Sequence, residues 1–164
     1  MNDSKTCFVV MPFGERTDAG GDAIDFDDVY EFLIKPPLDQ LKIDVFRCDK
    51  IPSSRSLHRE MLRHILADDL VIVDITTLNP NVFYELGVRH ALRRSGTILL
   101  RRRGTKSPFN IQGMRAFEYD LDMRSVAEAH QTLLRAAEHA LASVQSDSLV
   151  YDVFPTLHVT LPIA

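Results

Sequence analysis

The chain has 164 residues, of which 45% are hydrophobic and 26% charged, and it carries a formal net charge of -4. This composition is that of a globular domain and excludes long-range disorder and collagen-like repeats. The acidic balance excludes a strongly basic nucleic-acid-binding surface over the chain as a whole. No apolar run approaches the roughly 20 residues of a membrane span, and the N-terminus lacks a signal-peptide pattern. We therefore expect a cytoplasmic protein with neither a nucleic acid nor a membrane as partner.

Cysteine and histidine do not form a metal-site pattern in this sequence. The only cysteines are Cys7 and Cys48, which are too few for a disulfide framework and are not at metal-ligand spacing. His58 and His64 share a predicted helix, but their spacing does not place them as a metal-binding pair. The sequence therefore predicts no metal site and two reduced thiols with structural roles.

Short apolar runs alternate with helical patterns along most of the chain. In chain order, the sequence predicts a strand at Thr6–Met11, a helix at Phe26–Leu41, a strand at Asp44–Cys48, a helix at Ser56–Asp69, a strand at Leu70–Ile75, a helix at Pro80–Arg94, strands at Thr97–Leu100 and Ala116–Leu121, and a helix at Val126–Val144. This alternation predicts right-handed crossovers and a three-layer α/β sheet. Residues 1–145 then form one domain. Residues 146–164 form a tail or linker, whether as an edge strand, a docking tail or the start of a further segment.

Several residues mark the expected helix ends. Ser56 is suited to cap the second helix, and Asn79 is suited to cap the third, with Pro80 at its first position. Pro36 and Pro37 fall inside the first predicted helix, where they must kink or interrupt it.

Ligands of open parallel α/β sheets bind beyond the carboxyl ends of the strands. That rule selects four loops, at Pro12–Arg16, Arg47–Asp49, Asp74–Asn81 and Arg101–Gly104. The third is the most polar, and it leads into a helix on which Asn81 and Glu85 lie one turn apart on the same face. The helix dipole favours a carboxylate near the N-terminus of this helix. A carboxylate on so apolar a helix must be solvated in a cleft, paired or functional.

Structural interpretations stay open for each of these residues. Glu85 could cap its helix or pair with Arg89, four residues further on, and Asp74 could simply bind loop amides. Asn79 could be a helix cap, a ligand contact or both, and Gly14 could serve the turn alone. The run Arg101–Arg103 could neutralise a phosphate or form a solvated end of its strand.

Three segments carry a resemblance to a known group: VVMPFGER (Val9–Arg16), RCD (Arg47–Asp49) and ADDLVIVDITTLNPNVFYELGVRHAL (Ala67–Leu92). They resemble the nucleoside 2-deoxyribosyltransferase-like proteins and, more closely, the bacterial TIR-like domains related to them. The resemblance covers about Cys7–Val144, most of the chain, and implies a flavodoxin-like fold with a five-stranded parallel sheet of order 2-1-3-4-5. It also implies that Glu85 is the catalytic carboxylate for N-glycosidic bond cleavage and that Asp74 contacts the ribose or positions the base. Asp74 and Asp49 are the candidates for a second catalytic carboxylate that acts as a general acid.

The implied reaction passes through an oxocarbenium-like transition state, which a carboxylate can attack or stabilise. NAD or a related nucleotide would be the substrate, and no cofactor is required. Gly14 and Arg16 could bind phosphate, and Phe13 could stack on the base. The other candidate substrate-binding residues are Pro12, Arg47, Asp49, Asn79 and Asn81.

Two function classes follow from this resemblance. The first is an enzyme. It would be either a TIR-like NAD glycohydrolase that acts as an effector in bacterial signalling or antiviral defence, or a nucleoside 2-deoxyribosyltransferase or hydrolase. The second is a non-catalytic module that binds nucleotides or proteins. Self-association and contact with other domains or proteins of a signalling system are the expected macromolecular interactions. The segment between Asp18 and Asp22 is a candidate lid.

Overall fold

The computed structural model describes residues 4–50 and 57–161. Its strands are β1 (Thr6–Val10), β2 (Glu15–Thr17), β3 (Ala23–Asp25), β4 (Asp44–Arg47), β5 (Leu70–Asp74), β6 (Thr97–Arg102) and β7 (Ala116–Tyr119). Five of them form one parallel sheet in the order β4-β1-β5-β6-β7, and β2 and β3 form a separate antiparallel hairpin. Numbered among themselves, the central strands follow the order 2-1-3-4-5. The predicted flavodoxin-like α/β fold is therefore confirmed.

The helices cover both faces of this sheet. They are α1 (Phe26–Asp28), which continues through a π-helical segment (Val29–Ile34) into α2 (Lys35–Gln40), then α3 (Leu57–Ala67), α4 (Pro80–Leu92), α5 (Met123–Ala142) and α6 (Leu149–Val153). None of the helices in the two described ranges is both long and apolar enough to cross a lipid bilayer.

Side chains of the central strands alternate between two apolar cores. Cys7 and Val9 of β1 pack into the core beneath α1, α2 and α5. Phe8 and Val10 of the same strand pack into the core beneath α3 and α4. All five residues of β5 are buried, because the strand lies in the middle of a sheet that is covered on both faces.

The first predicted helix has the expected extent but not a uniform geometry. Pro36 and Pro37 occupy the first turn of α2, where the missing backbone N–H does little harm, and the wider π-helical turns come immediately before them. Asn79 caps α4 as predicted, since its Oδ1 accepts a hydrogen bond from the Asn81 amide at 2.8 Å. The proposed cap at Ser56 lies outside the described residues.

The hairpin was not among the sequence predictions, which treated this region as an irregular loop. Asp18 closes its turn by accepting hydrogen bonds from the amides of Gly20, at 2.8 Å, and Asp22, at 2.9 Å. Arg102 at the end of β6 donates to the other oxygen of Asp18 at 3.0 Å. The candidate lid is thus an ordered hairpin tied to the central sheet.

The segment that follows α5 packs against the end of α4 and the start of β6. Ser148 donates its hydroxyl to the carbonyl of His90 at 2.6 Å, and Asp147 accepts a hydrogen bond from the Thr97 amide at 2.9 Å. Residues 146–161, the described part of the tail, contain helix α6 and no strand. The edge-strand alternative is therefore wrong for this part of the chain.

Candidate active site

The candidate site lies where the parallel strands end. β1, β4, β5 and β6 all point the same way, so the loops that follow them share one edge of the sheet. This edge carries the Phe13–Gly14 turn, the short 3-10 helix Cys48–Lys50, and the loop from Ile75 to the start of α4. The topology therefore brings together the loops selected from the sequence.

Glu85 is the most unusual side chain of this edge. It lies half-buried in the second turn of α4. No hydrogen bond or ion pair connects its carboxyl group to any residue in the described ranges. Burial raises its pKa from the usual 4.5 to about 7. A buried acidic group without a partner is costly to the fold, and such groups concentrate at functional sites.

Glu85 is partly shielded from water and lies near one thiol. Burial, the field of Glu85 and the field of Asp49 together raise the pKa of the Cys48 thiol, so Cys48 lies within electrostatic range of the carboxylate. Val82 and Leu86 flank Glu85 along α4 and are buried in the core beneath that helix. This environment keeps water from fully solvating the Glu85 carboxylate.

The proposed local partner of Glu85 is engaged elsewhere. Arg89 is fully buried, and its guanidinium donates to backbone carbonyls, among them those of Ile65 at 2.8 Å and Gly96 at 3.0 Å. The interpretation of Glu85 as half of a surface ion pair with Arg89 is therefore wrong. Asn81 is exposed one turn before Glu85, with its side chain free of any hydrogen bond to the described residues.

Asp74 is placed very differently from Glu85. Its side chain is fully buried and accepts hydrogen bonds from the Tyr119 hydroxyl at 2.6 Å and the Thr76 amide at 2.9 Å. The Thr76 hydroxyl in turn accepts from the Arg102 amide at 2.9 Å. The network joins the ends of β5, β6 and β7. Asp74 therefore lies below the surface of the site, out of contact with a solute in this structure.

Arg47 is also buried, and its side chain is not accessible from the surface of the site. Its guanidinium donates to Asp27 at 2.6 Å, to both oxygens of Asp49 at 2.6 and 2.7 Å, and to the Phe26 carbonyl at 3.2 Å. The guanidinium carbon also lies 5.1 Å from the ring centre of Phe13. The Arg47 side chain is fully buried, so we correct its expected role from substrate contact to support of the loops.

The turn after β1 is held by the same cluster. Gly14 has a φ of +63°, a conformation that favours glycine. Its amide donates to Asp27 at 3.2 Å, and its carbonyl accepts from the Phe26 amide at 3.0 Å. The bond from Arg47 holds the pKa of Asp27 below its usual range. The Gly14 amide thus already has an acceptor and is not a free donor for phosphate.

The remaining candidates are spread across the surface of this edge. Pro12 and Phe13 are half-buried, while Arg16 is exposed and donates to the backbone carbonyl of Glu15 at 2.7 Å. Asp49 has a partly exposed side chain but is committed to Arg47. Asn79 is committed to the helix cap. Glu85 is thus the one carboxylate among these candidates that has no hydrogen-bond partner among the described residues.

The loop between β5 and α4 holds two features that sequence reasoning missed. Leu78 has a φ of +52°, which is unusual for a side chain of this type, and the hydroxyl oxygen of Thr77 is buried without a hydrogen-bond partner in the described residues. The only sequence signal was their position beside the Asn79 cap. The strained backbone of Leu78 and the unpaired hydroxyl of Thr77 therefore both lie at the candidate site.

Comparisons with protein-family models and curated sequences assign no family to this site. Neither a scan against models of protein families nor a search of curated protein sequences finds a match. Within residues 4–50 and 57–161, no cluster of three or more His, Cys, Asp or Glu side chains has the arrangement of a metal site. The function must therefore be argued from the geometry.

Proposed function

We propose that this domain cleaves the N-glycosidic bond of NAD or a related nucleotide, with Glu85 as the catalytic carboxylate. The observation that carries the proposal is the half-buried Glu85 at the carboxyl edge of a parallel sheet, which has no partner among residues 4–50 and 57–161. The resemblance of the segment around Glu85 to TIR-like and deoxyribosyltransferase-like proteins supports the same assignment.

The reaction needs a negative charge beside the anomeric carbon. When the bond from C1 of the ribose to the nicotinamide nitrogen breaks, its electron pair leaves with the base, and positive charge develops on the sugar. An ionised Glu85 would stabilise that charge or attack the carbon, and water would then complete the hydrolysis with release of a proton. The partial burial of Glu85 strengthens the electrostatic interaction, because less water screens it.

The substrate preference follows from the shortage of a second acid. Nicotinamide leaves NAD as a neutral molecule and needs no proton, whereas the base of an ordinary deoxynucleoside leaves as an anion unless an acid protonates it. Asp74 is buried against Tyr119, and Asp49 is held by Arg47. The available groups therefore favour a substrate whose leaving group is already cationic, which makes deoxynucleoside transfer or hydrolysis the second candidate.

The experiment that tests the proposal is an assay for released base. Purified protein is incubated with NAD and, separately, with the common deoxynucleosides, over a range of protein concentrations because self-association is expected. We predict nicotinamide release from NAD, with kcat/KM rising as the pH passes through about 7, where Glu85 ionises. Base release from deoxynucleosides alone would favour the second candidate. No release from any of them would overturn the enzymatic proposal and leave the binding module.

A further inference from the structure

A cleft lies at the C-terminal end of α4, whereas Glu85 lies near the N-terminal end of the same helix. The cleft has a volume of about 350 Å³ and lies between the last residues of α4 and the part of the tail that follows α6. This volume is within the range of small-molecule sites, which is roughly 300–1,000 Å³. None of the residues proposed for the glycosidic site lines the cleft.

The cleft carries two arginines and, among the described residues that line it, no acidic group. Arg93 and Arg94 both line it, and neither forms an ion pair with a carboxylate in the described ranges. Burial lowers the pKa of Arg89, one turn earlier, to about 10, against the fields of Asp147 and Asp68. Arg89 therefore stays charged at neutral pH and offsets those two carboxylates. The charges of Arg93 and Arg94 remain without a counterion in this part of the structure.

Backbone carbonyls hold the two guanidinium groups in place. Arg93 donates to the Leu66 carbonyl at 2.9 Å, and Arg94 donates to the Pro155 carbonyl at 2.7 Å. The Arg94 guanidinium carbon also lies 5.4 Å from the ring centre of Tyr151. A guanidinium group carries several N–H donors, and each arginine uses a single hydrogen bond to the described residues. Because both residues are only half-buried, their remaining donors are open to a ligand.

Aliphatic and aromatic residues make up most of the remaining lining of the cleft. They are Leu92 of α4 and Tyr151, Leu157, Val159 and Leu161 of the tail. His158 is the one other polar residue among the described residues of the lining. A ligand that matches these walls carries a negative charge and a short hydrocarbon body.

We propose that this cleft binds a small organic carboxylate, whose charged group pairs with Arg93 and Arg94 and whose hydrocarbon body packs against the tail. Arginine forms charge-assisted hydrogen bonds with carboxylates, which are stronger than neutral ones and often bidentate. The C-terminal end of a helix carries partial negative charge, which opposes a doubly charged phosphate more than a singly charged carboxylate. Because α4 and the tail both line the cleft, the ligand would join them. The proposal does not depend on the glycosidic site.

The test is an NMR titration of the isotope-labelled full chain with hexanoate as the probe. Hexanamide, its neutral analogue, and inorganic phosphate are the ligand controls. We expect hexanoate to shift the amide signals of residues 92–94 and 157–161, with a dissociation constant on the order of 1 mM for so small a ligand. Hexanamide lacks the charge and phosphate lacks the hydrocarbon body, so each should bind at least about tenfold more weakly.

Three variants separate the charge of the cleft from its position in the fold. Arg93→Gln combined with Arg94→Gln should weaken hexanoate binding by at least about tenfold. Because Arg94 also holds the Pro155 carbonyl, Leu157→Glu provides a second test that keeps both arginines. Its new carboxylate repels the ligand and competes for the arginines, so affinity should again fall by at least about tenfold. Val153→Glu, the same kind of change at an exposed residue of α6 outside the cleft, should leave the affinity unchanged.

Any of four results would overturn the proposal. The first is no shift of the cleft signals at hexanoate concentrations far above the expected dissociation constant. The second is equal affinity for hexanoate and hexanamide. The third is equal affinity for hexanoate and phosphate, which would indicate a site for bare anions. The fourth is wild-type affinity in either the double arginine variant or Leu157→Glu.

Discussion

Asp74 and Glu85 belong to one strand–loop–helix unit, and burial raises the pKa of both carboxyl groups. Asp74 receives hydrogen bonds from Tyr119 and Thr76, so its buried carboxylate joins three strands of the sheet. Glu85 has no partner in the described part of the chain. The contrast shows that burial alone does not identify a catalytic group, because a satisfied carboxylate stabilises the fold and an unsatisfied one is available for chemistry.

The arginines near the site follow the pattern of Asp74. Arg47 and Arg89 are both fully buried, and both donate hydrogen bonds to protein acceptors. Arg47 connects the end of β4 to Asp27 and so to the turn after β1, while Arg89 connects α4 to the loops at the opposite edge. These side chains hold the loops and helices around the site in place.

The largest expected effect on stability comes from Arg47. Arg47→Met keeps the volume of the side chain but leaves Asp27 and Asp49 without their cation and the Phe26 carbonyl without that donor. We expect the free energy of unfolding to fall by about 3 kcal/mol, because Arg47 is fully buried and its several charge-assisted hydrogen bonds are lost together. Urea denaturation measures this change, and an unaltered midpoint would contradict the described network.

Asp74→Asn tests whether the buried Asp74 carboxylate has a structural role, in contrast to Glu85. The amide would replace a charged acceptor of the Tyr119 hydroxyl with a neutral group, and we expect a loss of about 2 kcal/mol in the free energy of unfolding. Turnover per folded molecule should remain, because Asp74 is out of contact with solutes. A loss of turnover with unchanged stability would return Asp74 to the catalytic role that the sequence suggested.

Glu85→Gln should increase the free energy of unfolding, whereas the two preceding substitutions should lower it. In the folded protein the pKa of Glu85 is about 7, against a usual 4.5, so the unfolded chain releases this proton first and stability falls as the pH rises between these values. The variant loses this dependence. We expect it to be more stable than the wild type by about 1–2 kcal/mol at pH 8, after allowing for solvent screening, and equally stable at pH 4. Lower stability of the variant at pH 8 would indicate a structural partner for Glu85.

Local patterns in the sequence predicted the strands and helices of the central sheet well. The buried run at Leu70–Asp74 and the Asn79–Pro80 helix start both encode structure within a few neighbouring residues, so the strand and the helix could be found from sequence. The resemblance supplied the order of the strands. The position of Glu85 followed from those elements, since a helix after a parallel strand begins at the carboxyl edge of the sheet.

The partners of the polar side chains could not be predicted from local patterns. Asp74 bonds to Tyr119 and Arg47 to Asp27, and these pairings depend on how distant segments meet in the folded chain. The β2–β3 hairpin has mostly exposed three-residue strands, which give no hydrophobic periodicity. Sequence therefore identified the candidate acids, whereas only the structure distinguished Asp74, which is hydrogen-bonded, from Glu85, which has no partner in the part of the chain that the structure describes.

The most direct test of the central claim compares NAD cleavage by the wild type with that by Glu85→Gln. Glu128→Gln, the same change at an exposed position of α5, is the matched control. Folded fractions are measured on the same samples. The account predicts that Glu85→Gln lowers kcat by about 100-fold or more, because a neutral amide cannot stabilise the developing positive charge, and that the control keeps wild-type turnover. Turnover by Glu85→Gln within a few-fold of the wild type would contradict the claim that Glu85 is the catalytic carboxylate.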